Sequence, residues 1–136
     1  MASEKNQKEQ QGLVYKLSLL EQQMNQVQQQ IESISQGVDD LKTLDIGLDE
    51  LRGSLGKEIM APLGRGIFVR ATINSKDLTV DVGARNFVKK NIPETKEIIS
   101  NQVTKLLTIK EDLNATLEKI SDEAEKTLRE FQKEQS

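Results

Sequence analysis

The residue types that carry most enzyme chemistry are missing from this sequence. It has no histidine and no cysteine, which removes the commonest general base, the commonest metal ligand, thiolate metal sites and cysteine nucleophiles. The one glycine cluster, Gly64-Arg65-Gly66, lacks the Gly-Lys-Ser sequence and helix start of a phosphate loop, so a tight hairpin turn is the better interpretation. The sequence therefore predicts no catalytic residue, no cofactor and no metal site.

Charged residues give no sign of another ligand either. Asp39 and Asp40 are neighbours on a predicted helix and point apart, so they are interpreted as a solvated face. Lys89 and Lys90 lack the interleaved aromatic residues of a nucleic-acid surface. The formal charge of −3 is too mild to indicate nucleic acid or an anionic membrane. The polar N-terminus and the lack of a long apolar run predict a cytoplasmic protein without a membrane partner.

The stretch 59–90 has the pattern of short β-strands. Apolar residues alternate with polar or mixed ones from Ile67 to Asn74 and again from Leu78 to Gly83, which is a period of two. Turn-forming residues at 64–66, 74–77 and 83–86 divide the stretch into four strands, and we predict two β-hairpins.

Two heptad-patterned arms flank this insert. In the first arm apolar residues follow each other at steps of four and three from Leu13 to Leu41, as in a coiled-coil seam. The step from Leu41 to Leu44 breaks the alternation and predicts a local stammer. The residues before Gly12 are polar and predict a frayed start. The glycines at 53 and 56 predict the helix end.

The second arm begins at Asn91, which can cap a helix. Glu94, three residues later, has the spacing for its side chain to reach back to the Asn91 backbone, and Pro93 fits the first turn of a helix. Its seam runs from Ile92 to Phe131 and includes Lys96, Lys110 and Thr127 as polar positions. Arms of similar length predict an antiparallel two-helix coiled-coil hairpin, mainly α with a small β insert. We expect one domain over residues 1–136, with helices at 8–56 and 92–133.

Four short strands with one apolar face cannot cover themselves, because isolated hairpins are marginal in water and open edges recruit other chains. We therefore predict that the insert is the oligomerisation element and that other subunits cover its apolar face. The residues expected on the covered face are Leu63, Ile67, Val69, Ala71, Ile73, Leu78, Val80 and Val82.

The whole layout resembles the prefoldin family. The residues that carry the resemblance are Ala61 to Val69, with a Pro-Leu-Gly turn into a strand, then Leu78 to Gly83 and Phe87 to Lys90. Three turns and two hairpins resemble the alpha class. The resemblance implies a hexamer in which this chain joins a second copy of itself and four beta-class subunits, and in which the β-hairpins of the subunits oligomerise into a double β-barrel. It also implies an ATP-independent chaperone that holds unfolded client proteins at its coiled-coil tips and delivers them to a group II chaperonin.

Holding a client requires narrow apolar surface that binds through many weak contacts. The seam is expected to fray at the tip of the two-helix coil, where apolar residues of the two chain ends pair. The client-binding residues expected on this basis are Leu13, Val14, Leu17, Leu20, Ala124, Leu128 and Phe131. Two alternatives remain at this point, a purely structural coiled-coil assembly or filament former and, less favoured, an enzyme.

Overall fold

The computed structural model describes residues 2–135. In chain order the elements are α1 (Ala2–Glu50), β1 (Glu58–Gly64), β2 (Ile67–Thr72), β3 (Leu78–Asp81), β4 (Phe87–Lys90) and α2 (Ile92–Gln135). β1 pairs with β2 and β3 pairs with β4, so the four strands make two separate antiparallel two-stranded sheets. Two long helices joined by two β-hairpins confirm the predicted fold class.

The chain divides into two compact units. The helical unit contains the residues up to Gly37 and those from Leu106 onward. The insert unit contains Val38–Lys105, and therefore all four strands together with the adjoining ends of both helices.

The ends of α1 differ from the prediction. The helix includes the polar segment 2–11, which was expected to fray, because this segment contains mainly Glu, Lys and Gln, which have good helix propensity. It ends at Glu50 instead of near residue 56. Ser54 Oγ donates to the Glu50 carbonyl at 3.0 Å, and Gly53 has a φ of 73°, the left-handed conformation that terminates many helices.

The predicted stammer after Leu41 is wrong. In the insert unit Val38 and Leu48 are each 5% exposed, while Leu44 is 50% exposed. Asp45, four residues after Leu41 and three before Leu48, is half-buried, so the seam keeps its four-three alternation through an aspartate. Asp45 is accommodated because Lys96 of α2 places its Nζ 3.8 Å from the Asp45 carboxylate.

In the helical unit α1 and α2 run side by side in opposite directions. Lys16 Nζ lies 3.3 Å from Glu123 Oε1. A Cβ atom added at Gly37 would lie 3.6 Å from Leu106 Cδ1, so these positions also face each other. Thr127 is only 2% exposed, as its predicted seam position requires. Its Oγ1 hydroxyl donates a hydrogen bond to the Glu123 carbonyl at 2.8 Å.

The start of α2 follows the predicted cap. Asn91 Oδ1 accepts the Glu94 backbone N–H at 2.8 Å, which satisfies one of the unpaired donors of the first turn. The Glu94 side chain pairs with Lys90, at 3.8 Å, instead of reaching back to the Asn91 backbone. Thr95 Oγ1 donates to the Asn91 carbonyl at 2.8 Å, and Thr95 is buried in the first turn.

Both hairpin turns place arginine in the left-handed region. Arg65 has a φ of 52° between Gly64 and Gly66, and Arg85 has a φ of 60° after Ala84. In the second turn the Val82 N–H donates to the Asn86 carbonyl at 2.9 Å. An arginine at a positive φ is less favourable than a glycine, and in the second turn a further hydrogen bond from the Asn86 N–H to the Gly83 carbonyl, at 2.9 Å, helps to hold the conformation.

Candidate interaction sites

The β1–β2 hairpin exposes apolar side chains on both of its faces. The register pairs Ile59 with Ala71 and Ala61 with Val69, which puts the predicted set on one face. The opposite face carries Met60 and Phe68, which are 62% and 51% exposed. If an assembly buried only one face of the hairpin, the other face would still expose large apolar side chains. Both faces of this hairpin are therefore available for contact with other chains.

The β3–β4 hairpin is smaller and also exposes apolar side chains. Val80 lies opposite Val88 and Asp81 lies opposite Phe87. Phe87 is 62% exposed and Val82 is 55% exposed. The polar side chains of Thr79 and Lys89 share the face of Phe87 because alternate residues point the same way.

The structure places the predicted oligomerisation residues in two groups. Four are exposed, and four are half-buried. The exposed ones are Leu63, Ile67, Val69 and Val82, and the half-buried ones are Ala71, Ile73, Leu78 and Val80. Sequence reasoning missed a further exposed apolar group, which consists of Ile59, Met60, Phe68, Phe87 and Val88. For Phe68 the reason is that strand alternation assigned it to the mixed face.

Ile73 and Leu78, which are half-buried, line an open pocket of about 520 Å³ in the insert unit. Other apolar walls of this pocket come from Leu51 and Leu55 beyond the end of α1 and from Ile92 at the start of α2. The 74–77 loop forms its polar rim. Apolar walls of this kind can receive apolar side chains of another chain.

A second interaction site lies in the helical unit. A groove of about 730 Å³, here named the terminal groove, is lined by Gln7, Gln10, Gln11, Val14, Tyr15, Ser18 and Phe131. Val14 is 51% exposed and Tyr15 is 67% exposed, while Phe131 is half-buried. Apolar side chains bordered by uncharged amides can contact apolar polypeptide segments and hydrogen-bond their backbone at the same time.

The groove brings together two of the predicted client-binding residues, Val14 and Phe131. Leu128 is 44% exposed on the same unit. Leu13, Leu17 and Ala124 are half-buried in the seam. Leu20 is only 6% exposed; it packs between the helices and is removed from the predicted contact surface.

Sequence reasoning did not assign Tyr15 or the glutamines to this site. The spacing of Gln7, Gln11, Val14 and Ser18, at steps of four and three, places them on one helix face. This spacing is the signal that could have identified the groove.

Electrostatic features are sparse in both units. In the insert unit the hydrogen bond from Lys96, and the positive charges of Lys96 and Arg52, lower the pKa of Asp49 against a smaller opposing effect of desolvation. In the helical unit desolvation raises the pKa of Glu134, helped by the nearby carboxylates of Glu9 and Glu130. Within residues 2–135 no cluster of acidic side chains could hold a metal ion. No helix in that range is long and apolar enough to cross a membrane.

Similarity to known proteins agrees with this arrangement. The family model described as prefoldin subunit matches residues 14–136. The chain is 30% identical over 120 residues to prefoldin subunit alpha of Methanococcoides burtonii, with 87% of each chain covered. It is 29% identical over 111 residues to prefoldin subunit alpha of Methanobrevibacter smithii, covering 81% of this chain and 76% of the relative. Against prefoldin subunit alpha of Methanosphaera stadtmanae it is 29% identical over 87 residues, 64% of this chain and 63% of that protein.

Among solved structures, a chain from the cryo-EM structure of filamentous PFD of Methanocaldococcus jannaschii superimposes with a TM-score of 0.77. It is 19% identical, and the match covers 85% of this chain and 98% of the other. Two helices separated by β-hairpins whose strands are uncovered define a class of proteins that assemble with other chains. The protein belongs to the prefoldin family, and its relatives place it in the alpha class.

Proposed function

We propose that this chain is an ATP-independent holdase subunit that binds unfolded polypeptide and delivers it to a group II chaperonin in the cytoplasm. The observation that carries the proposal is the terminal groove, where Val14, Tyr15 and Phe131 lie beside uncharged glutamines. Such a surface is apolar enough to attract an unfolded segment and narrow enough to release it, because each contact is weak. Membership of a family of prefoldin chaperone subunits supports the same role.

The proposed client contacts are Val14, Leu128 and Phe131, with Leu13, Leu17 and Ala124 contributing where the seam opens. These residues need no catalytic group, nucleotide or metal to act, so the proposed role is not enzymatic. The strength of holding would come from several such surfaces acting together on one client, which raises avidity without a new kind of contact.

The surfaces are brought together by the insert. We propose that the eight predicted oligomerisation residues, with Met60 and Phe68 on the second face, pack against strands of other subunits. The assembly proposed is a hexamer of two copies of this chain and four beta-class subunits, joined through a β-barrel. Exposed strand edges support this, because they otherwise favour unspecific aggregation.

The test is aggregation of a chemically denatured model protein diluted into buffer without nucleotide. The complex reconstituted from this chain and beta-class subunits should suppress light scattering at a stoichiometric ratio, and added ATP should change nothing. Transfer is measured by adding a group II chaperonin with ATP and following recovery of the client's native activity. Full aggregation in the presence of the assembled complex would contradict the holdase proposal.

A second candidate function is homopolymer formation without a client. The similarity in fold to filamentous PFD of M. jannaschii favours it, as do strand edges that other copies can extend. Sedimentation of the purified chain over a range of concentrations separates the two candidates. A closed complex keeps one mass, whereas a filament lengthens as the concentration rises.

A further inference from the structure

The segment that contains the hairpins is positively charged, unlike the rest of the chain. Residues 51–91 contain eight Arg or Lys and three Asp or Glu, which gives a formal charge of +5 in a chain whose total is −3. The remaining residues therefore carry −8. A local excess of one charge sign attracts partners of the opposite sign and speeds their association. The charge of this segment favours an acidic partner.

Two of these cations occupy an unfavourable backbone conformation, one at the turn of each hairpin. Arg65 has a φ of 52° and Arg85 has a φ of 60°, in the region that glycine adopts freely and that a residue with a Cβ atom avoids. Non-glycine residues held in this region are concentrated at functional sites. Because glycine would close either turn at a lower cost, the two positions indicate a role for the arginine side chains themselves.

Both arginine side chains are open to solvent and unpaired within the chain. Arg65 and Arg85 are exposed, and among residues 2–135 no salt bridge includes either of them. A Cβ atom added at Gly64, Gly66 or Gly83 would meet no atom of a non-adjacent residue within 4 Å, so open space surrounds the backbone of both turns. A partner can therefore reach both guanidinium groups from outside the hairpins.

We propose that Arg65 and Arg85 bind carboxylates of an acidic polypeptide segment that is not a subunit of the complex. A guanidinium donates two parallel hydrogen bonds to one carboxylate, a stronger and more directional contact than a point charge makes. Two such turns can engage two acidic side chains of one flexible segment, so that weak contacts reinforce each other. The inference goes beyond the proposed holding function, since it uses neither the terminal groove nor the apolar faces of the insert.

Single-stranded nucleic acid is the other polyanion that these cations could meet. Its binding sites combine cations with aromatic side chains on which the bases stack. Arg65 is flanked by two glycines, and Arg85 is flanked by an alanine and an asparagine, so no aromatic residue is adjacent to either arginine. A carboxylate needs no stacking surface, and the two turns therefore fit an acidic polypeptide better.

The test measures binding of a fluorescently labelled oligoglutamate peptide to the complex reconstituted from this chain and beta-class subunits. Fluorescence anisotropy at low ionic strength gives the affinity, and added salt should weaken it because exposed charges are screened. Arg65→Gln combined with Arg85→Gln should weaken binding about tenfold, since two charge-assisted contacts are lost. An oligoglutamine peptide of the same length lacks the carboxylates and should not bind.

A matched control removes the same number of charges from the strands. Arg70→Gln combined with Lys89→Gln takes two positive charges from exposed positions of β2 and β4 and should weaken binding by about twofold at most. Equal losses in the turn and strand variants would show that only the general charge of the segment acts. That result would overturn the assignment to the turn arginines.

Substitution by lysine and by glycine separates the side chain from the turn. Arg65→Lys with Arg85→Lys keeps both charges but cannot form the bidentate contact, so the loss of affinity should be intermediate, about threefold. Arg65→Gly with Arg85→Gly should lose as much affinity as the glutamine variant while the melting temperature is kept or raised, because glycine accepts a positive φ. Affinity retained in the glycine variant would overturn the proposal.

The other possible partners of the arginines give different results. A change in the mass of the glutamine variant's complex would place the acidic partner inside the assembly and overturn the proposal. A labelled oligouridylate whose binding depends on the two arginines more strongly than that of oligoglutamate would identify nucleic acid and overturn it as well.

Client holding is measured separately by aggregation. A complex that binds oligoglutamate through the turns but does not protect a client would contradict the holdase proposal and support the acidic partner. A complex that protects a client but does not bind oligoglutamate would do the opposite.

Discussion

Lys96 of α2 places its Nζ 2.6 Å from Asp49 Oδ1 and 2.7 Å from Asp49 Oδ2 of α1. Asp45 Oδ1 lies 3.8 Å from the same nitrogen. One lysine thus joins two carboxylates of the other helix within the insert unit. This cluster explains how a polar residue occupies a coiled-coil position and fixes which residues of the two helices face each other.

The Asp49 contact predicts an acid-sensitive contribution to stability. The pKa of Asp49 is lower in the folded protein than its ordinary value of about 3.9. The contribution is therefore complete above that value and is lost as pH falls through the folded pKa. Asp49→Asn should lower the melting temperature at neutral pH and reduce its dependence on pH below about 4.

Thermal unfolding, followed by circular dichroism at pH values from about 2.5 to about 7, measures both effects, because this range brackets the ordinary pKa of an aspartate. Asp112→Asn, on the exposed surface of α2, removes a carboxylate that does not contact Lys96 and serves as the control. Equal acid dependence in the unaltered chain and the Asp49 variant would contradict the expected linkage.

A pair of leucine substitutions distinguishes the observed seam from the predicted stammer. Leu48 is 5% exposed and Leu44 is 50% exposed. Leu48→Ala should destabilise the fold by about 2 to 5 kcal/mol, because it deletes buried methyl groups. Leu44→Ala should change the free energy of unfolding by less than about 1 kcal/mol. Denaturant titration of both variants measures the difference, and equal losses would restore the stammer interpretation.

Hydrophobic periodicity predicted the helices, the four strands and their turns, because each follows from local pattern. It failed at Leu44 because the pattern favours leucine over aspartate at a seam position. The partner that stabilises Asp45 there is Lys96, which lies on the other helix and is invisible to a local window. The polar seam position Thr127 was predicted correctly because the heptad phase around it is uninterrupted.

The interaction surfaces could be predicted only in part. Val14 and Leu128 were expected to be accessible because they lie beside the heptad seam, and they are 51% and 44% exposed. Leu20 was expected to be accessible at a frayed seam, but it is only 6% exposed, so fraying does not extend to it. Met60 and Phe68 were identified as exposed apolar residues only from the strand register. Exposure of both hairpin faces depends on whether other elements cover them, and a local sequence pattern does not contain that information.

The proposed client contacts predict a separation between holding and assembly. Val14→Ser combined with Leu128→Ser removes two exposed apolar groups of the helical unit. We expect the variant complex to assemble normally and to need several-fold more protein for the same suppression of client aggregation. Ile109→Ser is the matched control, since Ile109 is 45% exposed in the same unit but is not one of the proposed client contacts.

The insert predicts the converse. Val80→Asp puts a charge on the apolar face of β3, where a covering strand would have to desolvate it. Mass measurement of the reconstituted complex should then give smaller species, while the helical signal of the chain is retained. Ile109→Asp introduces the same charge in the helical unit and should leave the mass of the complex unchanged. A normal complex with Val80→Asp would contradict the assembly role of the insert.

Glu134 predicts a pH dependence of opposite sign to that of Asp49. Desolvation, with the carboxylates of Glu9 and Glu130, raises its pKa in the folded chain. Its protonated form stabilises the fold at low pH, and this contribution is lost as pH rises through the raised pKa. Glu134→Gln should therefore raise the melting temperature at pH 7 and reduce the change between pH 7 and about 4.5, near the ordinary value for glutamate.

The C-terminal position strengthens this expectation, because a negative charge in the last turn of α2 also opposes the helix dipole. Glu118→Gln removes one carboxylate from an exposed position further from the end of the same helix and is the control. Melting curves of the two variants at pH 4.5, 5.5 and 7 should diverge most at pH 7, a range set by the ordinary glutamate pKa of about 4.3. If both variants followed the same pH profile, the closeness of Glu9 and Glu134 would have no energetic consequence.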